Sequence, residues 1–367
     1  MRVLHLVWNL IRGGTEGQCA RAVLALPAQG VTSRVGVSRR EGLFVAPVEA
    51  LCGPLYEMHI QRVASLRTVT EVLRLARYIR AERIDLVHAW DADAEIFGSL
   101  AAQRAGCPLL TSRRDLGEIY APWKLRLMQR ADRRARAVVV NADAIAARVR
   151  ASGVPAERVV VLPNILDVDE FDRLAARPAP AADRLGPGRW IAHVARLDPE
   201  KDAATFVRAA VRVAQAVPDA RFVLAGDGTQ RGELEKLAAE EGAAGRIVFL
   251  GDVTDVPALL TRATACVLCP NSNEGLSNAI LEYMAARRPV VATDCGGNRE
   301  LVESCRTGFV VPAGDYEALA ERLIILLRDP ERAALMGDAG RRRVESHHRP
   351  EVVARQLADL YRTALAR

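Results

Sequence analysis

The sequence predicts an α/β protein built from two Rossmann-like domains, each with a parallel sheet. The 367 residues of the chain exceed the usual size of a single hydrophobic core. Short apolar segments alternate with amphipathic helical stretches, which is typical of a parallel sheet covered by helices. The alternation breaks once, in a segment rich in proline, alanine and glycine, and then restarts. We therefore expect a first domain over residues 1–177, a linker over 178–189 and a second domain over 190–346.

Each domain is predicted to alternate strands with helices. The predicted strands of the first domain are 3–7, 84–88, 108–111, 137–141 and 159–162, and its predicted helices are 16–26, 66–81, 94–105, 122–136 and 142–151. The predicted strands of the second domain are 190–194, 222–225, 247–250, 265–268, 289–293 and 308–311. Parallel strands all end at one edge of their sheet, where such folds bind ligands, so we expect a ligand cleft between the two domains. A last helical stretch, 350–365 within the terminal segment 347–367, has no strand after it.

Composition places the protein among soluble proteins. No apolar run reaches the roughly 20 residues that span a bilayer, and residues 1–5 lead directly into a strand. The seven cysteines lack framework spacing, which fits a reducing compartment. We therefore expect a cytoplasmic protein. Cys266 and Cys269 form a C-x-x-C within an apolar strand, and without a second pair a buried structural role is favoured over metal or redox chemistry.

The positive charge is concentrated in the first half of the chain. Residues 1–180 hold 26 basic and 19 acidic residues, while residues 181–367 hold 25 and 26. Only Lys124, Lys201 and Lys236 are lysines, and the other 48 basic residues are arginines. A lysine in a motif is therefore less easily attributed to composition.

Two carboxylates bracket a predicted helix start in the second domain. Glu274 precedes Gly275, Leu276 and Ser277, which we expect to open a helix whose N–H groups and positive dipole end suit a diphosphate. Glu282 then lies about 12 Å further along the helix axis, at about 1.5 Å per residue. A sugar and a ribose at the two ends of one diphosphate are spaced on that scale. The alternative is an ordinary amphipathic helix with a solvated glutamate.

The segment from Glu274 to Leu301 resembles the donor-site signature of retaining glycosyltransferase family 4, which has the GT-B fold. Three further segments agree with this family in order and spacing: residues 13–16 (GGTE), 194–201 (VARLDPEK) and 225–228 (AGDG). The four segments together extend from residue 13 to residue 301. Each one is weak evidence alone, and the ordered set is strong evidence.

The resemblance implies a role for several residues. It places the loop at Gly13 and Gly14 against the sugar diphosphate, and Gly226 and Asp227 in the pocket for base and ribose. Glu274 is expected to bind hydroxyls of the donor sugar and Glu282 the ribose. The resemblance also implies that the terminal helix crosses back to the first domain. For Asp227 a simple tight turn remains the alternative, and Glu16 fits the dipole of its helix better than a substrate.

Arg196 and Lys201 lie in the loop that follows the predicted strand 190–194. Two fixed cations there would stabilise a departing nucleoside diphosphate, a task otherwise given to a divalent metal. The alternative is a surface pair with Asp198 or Glu200. Asp91 and Asp93 have the Asp-x-Asp spacing of a metal site but lie in the first domain, so we expect no metal requirement and no cofactor.

Polar residues at strand ends of the first domain are candidates for catalysis or acceptor binding. His88 ends a predicted strand, but the histidine that often follows two positions later in this family is Trp90 here. Donor contact and a core position therefore remain open for His88. Arg113, Arg114 and Asp115 end the next strand and are expected to line an acceptor pocket, unless they merely reflect the arginine-rich composition.

The predicted helix 122–136 has six basic residues and one acidic residue, with Trp123, Leu127 and Met128 among them. It could lie on an anionic membrane surface and bring the enzyme to a lipid-linked acceptor at the inner face of the membrane. A solvated helix that covers the sheet is the alternative. Nucleic-acid binding is not indicated, because neither RNP aromatics nor zinc-finger spacings occur.

The sequence thus predicts a retaining, metal-independent glycosyltransferase of the hexosyltransferase type. Its donor would be a UDP- or GDP-linked sugar, and its acceptor a glycan or lipid-linked hydroxyl in cell-envelope polysaccharide or glycolipid synthesis. The resemblance implies front-face substitution, in which the leaving diphosphate helps to take the acceptor proton. A sugar-nucleotide epimerase of the same fold, a pyridoxal-phosphate phosphorylase and an inactive sugar-nucleotide-binding scaffold are the alternatives.

Overall fold

The computed structural model describes residues 1–11, 13–59 and 66–366, the side chains of residues 66 and 67 excepted. The described chain forms two compact units: residues 1–165 together with 350–367, and residues 166–349. The predicted linker 178–189 lies inside the second unit. The reason is that the helices before and within it, Val168–Ala175 and Pro180–Asp183, pack on the second unit's helix Val256–Thr261.

The first unit contains a parallel sheet of seven strands. The strands are β1 (Arg2–Val7), β2 (Thr32–Val37), β3 (Tyr56–Glu57), β4 (Leu86–Ala89), β5 (Leu109–Arg113), β6 (Ala137–Val140) and β7 (Val159–Val161), in the order β3-β2-β1-β4-β5-β6-β7. Its helices are α1 (Gly14–Ala25), α2 (Val45–Cys52), α3 (Leu66–Ala81), α4 (Ala92–Ala105), α5 (Pro122–Arg134) and α6 (Asp143–Ala151). All strand pairs are parallel, so every strand ends at the same edge.

The second unit contains a parallel sheet of six strands. Its helices are α7 (Val168–Ala175), α8 (Pro180–Asp183), α9 (Ala203–Ala216), α10 (Arg231–Glu240), α11 (Val256–Thr261), α12 (Asn278–Ala285), α13 (Asn298–Leu301), α14 (Tyr316–Arg328) and α15 (Pro330–His347). Its strands are β8 (Arg189–Val194), β9 (Ala220–Ala225), β10 (Ile247–Gly251), β11 (Ala263–Leu268), β12 (Val290–Thr293) and β13 (Gly308–Val311), in the order β10-β9-β8-β11-β12-β13. Strands β9 and β10 lie on one side of β8, and β11, β12 and β13 lie on the other, which makes the β8/β11 boundary the switch point of this sheet.

The last helix, α16 (Pro350–Ala366), belongs to the first unit. It packs on α1, and Val353, Leu357 and Tyr361 join the core beneath β1 and β4.

The predicted α/β class with two parallel sheets is confirmed. Every predicted strand exists within a few residues of its predicted bounds, and the prediction missed β2 and β3 at the edge of the first sheet. The predicted helix 122–136 ends at Arg134, because Ala135 is extended with ψ 146° and leads into β6.

Candidate active site

The carboxyl edge of the second sheet is formed by the loops after β8, β9, β11 and β12, and backbone hydrogen bonds join these loops. Leu197 N–H donates to Asp227 O over 2.9 Å, and Asn271 N–H donates to Glu200 O over 3.1 Å. Gly297 N–H donates to Gly275 O over 3.0 Å. The loops that carry Arg196, Lys201, Asp227 and Glu274 therefore form one connected surface.

Lys201 and Glu274 form an ion pair on this surface. Lys201 Nζ lies 2.6 Å from Glu274 Oε2, and the two side chains are 20% and 11% exposed. An ammonium offers three N–H donors, of which Glu274 uses one. The pair can therefore present both further donors and a carboxylate oxygen to a ligand that contains phosphate and hydroxyl groups.

The backbone next to each member of this pair is in the left-handed region. Asp202, which follows Lys201, has φ 45°, and Asn273, which precedes Glu274, has φ 51°. Asp and Asn tolerate this conformation better than other non-glycine residues. Asp202 also caps α9, where its side chain accepts from Thr205 N–H. Strained backbone of this kind is often found at functional sites.

Two glycines allow the loops to approach each other closely. A Cβ on Gly226, at φ 133°, would lie 1.9 Å from Ala195 O, and a Cβ on Gly296, at φ 54°, would lie 2.0 Å from Glu274 O. Both positions therefore require glycine. The lack of a side chain at Gly226 lets the loop after β8 pack against it, and the lack of one at Gly296 lets the backbone of Glu274 do the same.

Arg196 adopts the alternative arrangement that the sequence left open. Its guanidinium is paired with Asp198 and lies 2.6 Å from Glu200 Oε1, and its side chain is 67% exposed. Asp198 also accepts hydrogen bonds from the backbone N–H and the hydroxyl of Thr229, which lower the pKa of Asp198 together with Arg196. A role for Arg196 toward a diphosphate requires this exposed pair to open, and that role stays a prediction.

The predicted helix start at Gly275 is wrong. Helix α12 begins at Asn278, and Ser277, in an extended conformation, caps it by accepting from Ile280 N–H. The 12 Å estimate assumed a continuous helix from Glu274, so it does not apply. Glu282 lies about one turn into α12 and is half-buried, Leu276 is buried, and Ser277 lies at the positive end of the helix dipole.

Asp227 lies in a tight turn. Its side chain accepts from Gly228 N–H over 2.8 Å and lies 3.3 Å from Arg231 Nη1 at the surface. Its place in a base and ribose pocket stays a prediction.

Gly13 and Gly14 open helix α1 of the first unit. Gly13 is the N-cap with φ −81°, and the Glu16 carboxylate folds back toward it, at 2.2 Å from where a Cβ of Gly13 would lie. Glu16 thus lies over the positive end of its helix. A Cβ on Gly14 would meet no atom within 4 Å. Whether this turn contacts a donor is a prediction that rests on the family resemblance.

His88 lies in the core, which is the second of the two predicted alternatives. Its ring is 0% exposed, its Nδ1 lies 2.7 Å from Tyr361 Oη on α16, and its Nε2 lies 2.8 Å from Ser112 Oγ. Burial holds the pKa of His88 well below its usual value. Both ring nitrogens are occupied by protein groups, so the structure does not support a contact between His88 and the donor.

The three predicted acceptor residues have internal partners. Arg113 is buried between Asp132 and Glu95, each 2.8 Å from its guanidinium. Arg114 packs over the Trp90 ring at 4.8 Å and donates to Asn164 Oδ1. Asp115 accepts from Gly117 N–H and from the Tyr120 hydroxyl, each over 2.8 Å. Arg113 thus links α4 and α5 through two buried ion pairs, and an acceptor contact for it stays a prediction.

Asp91 caps the N-terminus of α4, and Asp93 lies in the first turn of this helix. Asp91 accepts from Asp93 N–H and Ala94 N–H, and also from Trp8 N–H over 2.6 Å, while Asp93 pairs with Lys124 at 3.0 Å. Burial raises the pKa of Asp91 to about 6. Over the described residues, no group of three His, Cys, Asp or Glu side chains is arranged to hold a metal ion.

The basic helix α5 has one packed face and one exposed face. Met128 is buried, whereas Trp123 is 51% exposed, and Arg126, Arg130, Arg133 and Arg134 are also exposed. Within residues 1–11, 13–59 and 66–366, no helix is long and apolar enough to cross a bilayer.

Cys266 and Cys269 are buried in β11 and just after it, where burial raises the pKa of both thiols.

Two residues that join the loops were not identified from the sequence. Asn271 donates through its backbone to Glu200 and Thr293 donates to Pro270 O over 2.6 Å, and neither was predicted. Thr293 ends an apolar strand and Asn271 lies three residues after one, and this position near a strand end is the signal that could have identified them.

Two families match the chain, one on each half. The family described as Glycosyltransferase Family 4 matches residues 12–170, and the family described as Glycosyl transferases group 1 matches residues 188–329. The alpha-D-kanosaminyltransferase of Streptomyces kanamyceticus is 32% identical over 63% of this chain and 61% of its own length. The GDP-mannose-dependent alpha-(1-6)-phosphatidylinositol monomannoside mannosyltransferase of Mycobacterium tuberculosis is 34% identical over 57% of each chain. The chain thus spans less than two thirds of the length of these relatives.

Solved structures agree on the fold. Anabaena HepE in complex with UDP has a TM-score of 0.84 at 23% identity, over 99% of this chain and 100% of that chain. Sucrose-phosphate synthase from Thermosynechococcus elongatus has a TM-score of 0.82 at 20% identity, over 100% of this chain and 99% of that chain. At these identities the likeness shows the GT-B fold alone.

Proposed function

Because the chain belongs to glycosyltransferase family 4, we propose that it transfers a sugar from a nucleoside-diphosphate sugar to an acceptor hydroxyl with retention of configuration. The Lys201–Glu274 pair at the carboxyl edge of the second sheet is the observation that carries this proposal. Lys201 stabilises the negative charge that develops on the departing diphosphate. Glu274, held by Gly296 and by its ion pair, accepts hydrogen bonds from hydroxyls of the donor sugar.

The rest of the donor site follows from the same loops. The N-terminus of α12, with Gly275, Leu276 and Ser277 before it, faces the diphosphate with its positive end, and Glu282 binds the ribose. Gly226 and Asp227 line the base and ribose pocket. Arg196 exchanges its partners Asp198 and Glu200 for the diphosphate when the donor binds. With cations in place of a divalent ion, turnover does not require a metal.

The names of the relatives support a cell-envelope acceptor. One relative is GDP-mannose-dependent and acts on a phosphatidylinositol monomannoside, and another is a lipopolysaccharide core biosynthesis mannosyltransferase of Rhizobium leguminosarum. A further relative, the UDP-Gal:alpha-D-GlcNAc-diphosphoundecaprenol alpha-1,3-galactosyltransferase of Escherichia coli, supports UDP as the alternative carrier. We propose a glycan or glycolipid acceptor, reached from the cytoplasmic side of the membrane with α5 against its anionic surface.

The proposal is tested first on the donor. UDP-linked and GDP-linked sugars are screened by thermal shift, since a ligand at about 100 times its Kd stabilises the native state by about 2.7 kcal/mol. The stabilising donor is then incubated with glycan and glycolipid fractions, with and without excess EDTA. We expect acceptor-dependent release of nucleoside diphosphate that persists in EDTA. Epimerised donor or free nucleotide in the absence of acceptor would favour an epimerase, and binding without turnover would favour a scaffold.

A further inference from the structure

Tyr283, the residue after Glu282 on α12, places a hydroxyl at the switch point of the second sheet. The side chain is 0% exposed. The hydroxyl accepts from Val194 N–H over 2.9 Å and lies 3.2 Å from Val194 O and 3.3 Å from Val267 O. Burial holds the pKa of Tyr283 well above its usual value, so the hydroxyl keeps its proton and can donate to one of these carbonyls while it accepts from Val194.

The contact lies where β8 and β11 stop pairing. The parallel register between these strands ends at the pair of His193 and Val267, while Val194 still pairs with Ala225 on the other side of β8. The Tyr283 hydroxyl therefore continues, by one residue, the hydrogen bonding that β11 no longer provides. Without the hydroxyl, this partly buried N–H would lose its hydrogen-bond partner.

Val194 is also the last residue before the loop that carries Arg196 and Lys201. The direction in which β8 ends determines where this loop begins. The start of the loop in turn affects the position of Lys201, whose Nζ lies 2.6 Å from Glu274 Oε2. Helix α12 is fixed at its far end as well, because Arg341 donates to Ala285 O over 2.8 Å. Tyr283 thus connects a helix of fixed position, which carries Glu282, to the start of the loop that carries the cations.

We infer that Tyr283 is a positioning residue of the donor site, whose hydroxyl holds the end of β8 so that Lys201 is placed for the diphosphate. This inference rests on the proposed function, which identifies the ligand as a nucleoside diphosphate. It predicts that loss of one oxygen atom, buried away from the ligand, weakens nucleoside-diphosphate binding more than it weakens the fold.

The chain offers a matched control. Tyr361 is also 0% exposed, and its hydroxyl is also hydrogen-bonded, to His88 Nδ1 over 2.7 Å, but it lies on α16 of the first unit. Tyr283→Phe and Tyr361→Phe each remove one buried, bonded hydroxyl. A purely structural role would give both variants similar losses in melting temperature and no selective effect on ligand binding.

The test uses the full chain and two measurements. Hydrogen exchange of wild type, Tyr283→Phe and Tyr361→Phe is followed over residues 194–202, and UDP and GDP are each titrated calorimetrically. We expect about tenfold faster exchange at Val194 and about fivefold or more weaker binding of the better nucleotide in Tyr283→Phe, an effect the size of one hydrogen bond. Tyr361→Phe should change the exchange rate at Val194 and the nucleotide affinity by less than about twofold, which is well below the effect of losing one hydrogen bond.

Each remaining outcome has a defined meaning. Wild-type Val194 exchanging as fast as surface amides, or equal exchange and affinity in the two variants, would overturn the role of Tyr283. A wild type that binds neither nucleotide would overturn the proposed function, while the exchange data would still decide whether Tyr283 holds the end of β8.

Discussion

Lys201 Nζ and Glu274 Oε2 lie 2.6 Å apart although 73 residues separate them in the chain. The two residues come from the loops after β8 and β11, which flank the switch point of the second sheet. Their contact depends on the joined backbones of these loops, on Gly296, and on the left-handed Asp202 and Asn273. A pair of opposite charge is thus assembled at the candidate site by the topology of the sheet.

The first prediction concerns this pair. We expect Lys201→Met and Glu274→Gln each to lower turnover by at least about tenfold, because each removes a charge that we propose contacts the donor. Lys236→Met is the matched control, since the Lys236 side chain is 76% exposed and its ammonium pairs with Glu240 at 3.6 Å. Turnover and melting temperature are measured together for all three proteins. A folded variant of Lys201 or Glu274 with the turnover of the control would contradict the assignment of that residue.

The second prediction concerns Gly296. A Cβ at this position would lie 2.0 Å from Glu274 O and would require φ 54°, so Gly296→Ala must displace the backbone of Glu274. We expect turnover to fall by at least about tenfold, with weaker binding of the donor sugar. Gly232→Ala is the control, because a Cβ there meets no atom within 4 Å. Steady-state kinetics of the two variants with the donor as varied substrate are the measurement, and equal kinetics would show that Gly296 does not hold the site.

The third prediction concerns the exposed face of α5. Each basic residue near an anionic surface contributes on the order of 1 kcal/mol, and salt screens this attraction over about 8 Å. We expect sedimentation with anionic vesicles and not with neutral ones, reduced by salt and by changing Arg126, Arg130 and Arg134 to Gln. Lys124 is left unchanged because it pairs with Asp93 at 3.0 Å.

The vesicle test has its own control. Arg208, Arg262 and Arg328 are exposed residues of the second unit, and changing them to Gln removes the same charge elsewhere. If both triple variants lose binding equally, net charge rather than α5 explains it. Equal partitioning of wild type to both kinds of vesicle would leave α5 as a cover for the sheet.

The fourth prediction concerns three buried histidines. Burial lowers the pKa of His5 to about 3 and of His193 to about 4, and holds that of His88 well below its usual value. Below pH 6.5 the unfolded chain takes up protons on these rings and the native protein does not. The stability they provide is complete above pH 6.5 and is lost as the pH falls toward these lower values, by up to about 1.4 kcal/mol per pH unit and ring.

Urea unfolding between pH 7 and pH 5 measures this loss as a slope. Asp91, whose pKa is raised to about 6 by burial, acts in the opposite direction, so the comparison is between variants. Compared with wild type, His88→Gln should show a slope that is smaller by the contribution of about one proton. An unchanged slope in His88→Gln would mean that His88 is protonated in the native protein.

Apolar strands were predictable from the sequence because burial on both faces of a parallel sheet leaves a continuous apolar run, as in β6 and β11. The prediction missed β2 because Arg34 and Gly36 interrupt its pattern. Arg34 donates to Glu82 and to Cys52 O, and Gly36 lies where a Cβ would meet Leu6 at 2.8 Å. Arg34 and Gly36 are both explained by contacts with residues that are distant in the chain, and a local sequence pattern does not show these contacts.

The candidate site was predictable where one segment carries the chemistry and not where distant segments meet. Lys201, Glu274 and the glycine at 226 were identified from local motifs. The core position of His88 depends on Tyr361, which lies 273 residues away. The two carboxylates around Arg113 come from α4 and α5. The late start of α12 depends on Ser277 as its cap and on the Gly275–Gly297 hydrogen bond, which a local helix pattern does not reveal.

The most direct test of sugar transfer follows a label from donor to product. The stabilising sugar nucleotide, labelled in its sugar, is incubated with the wild-type protein and with glycan and glycolipid fractions, and the acceptor fraction is analysed by mass spectrometry and by the NMR signal of its new anomeric proton. We expect the labelled sugar in the acceptor fraction with the anomeric configuration of the donor. Label that stays in the nucleotide sugar or in an epimer of it would contradict the proposed transfer, and a product of inverted configuration would contradict retention.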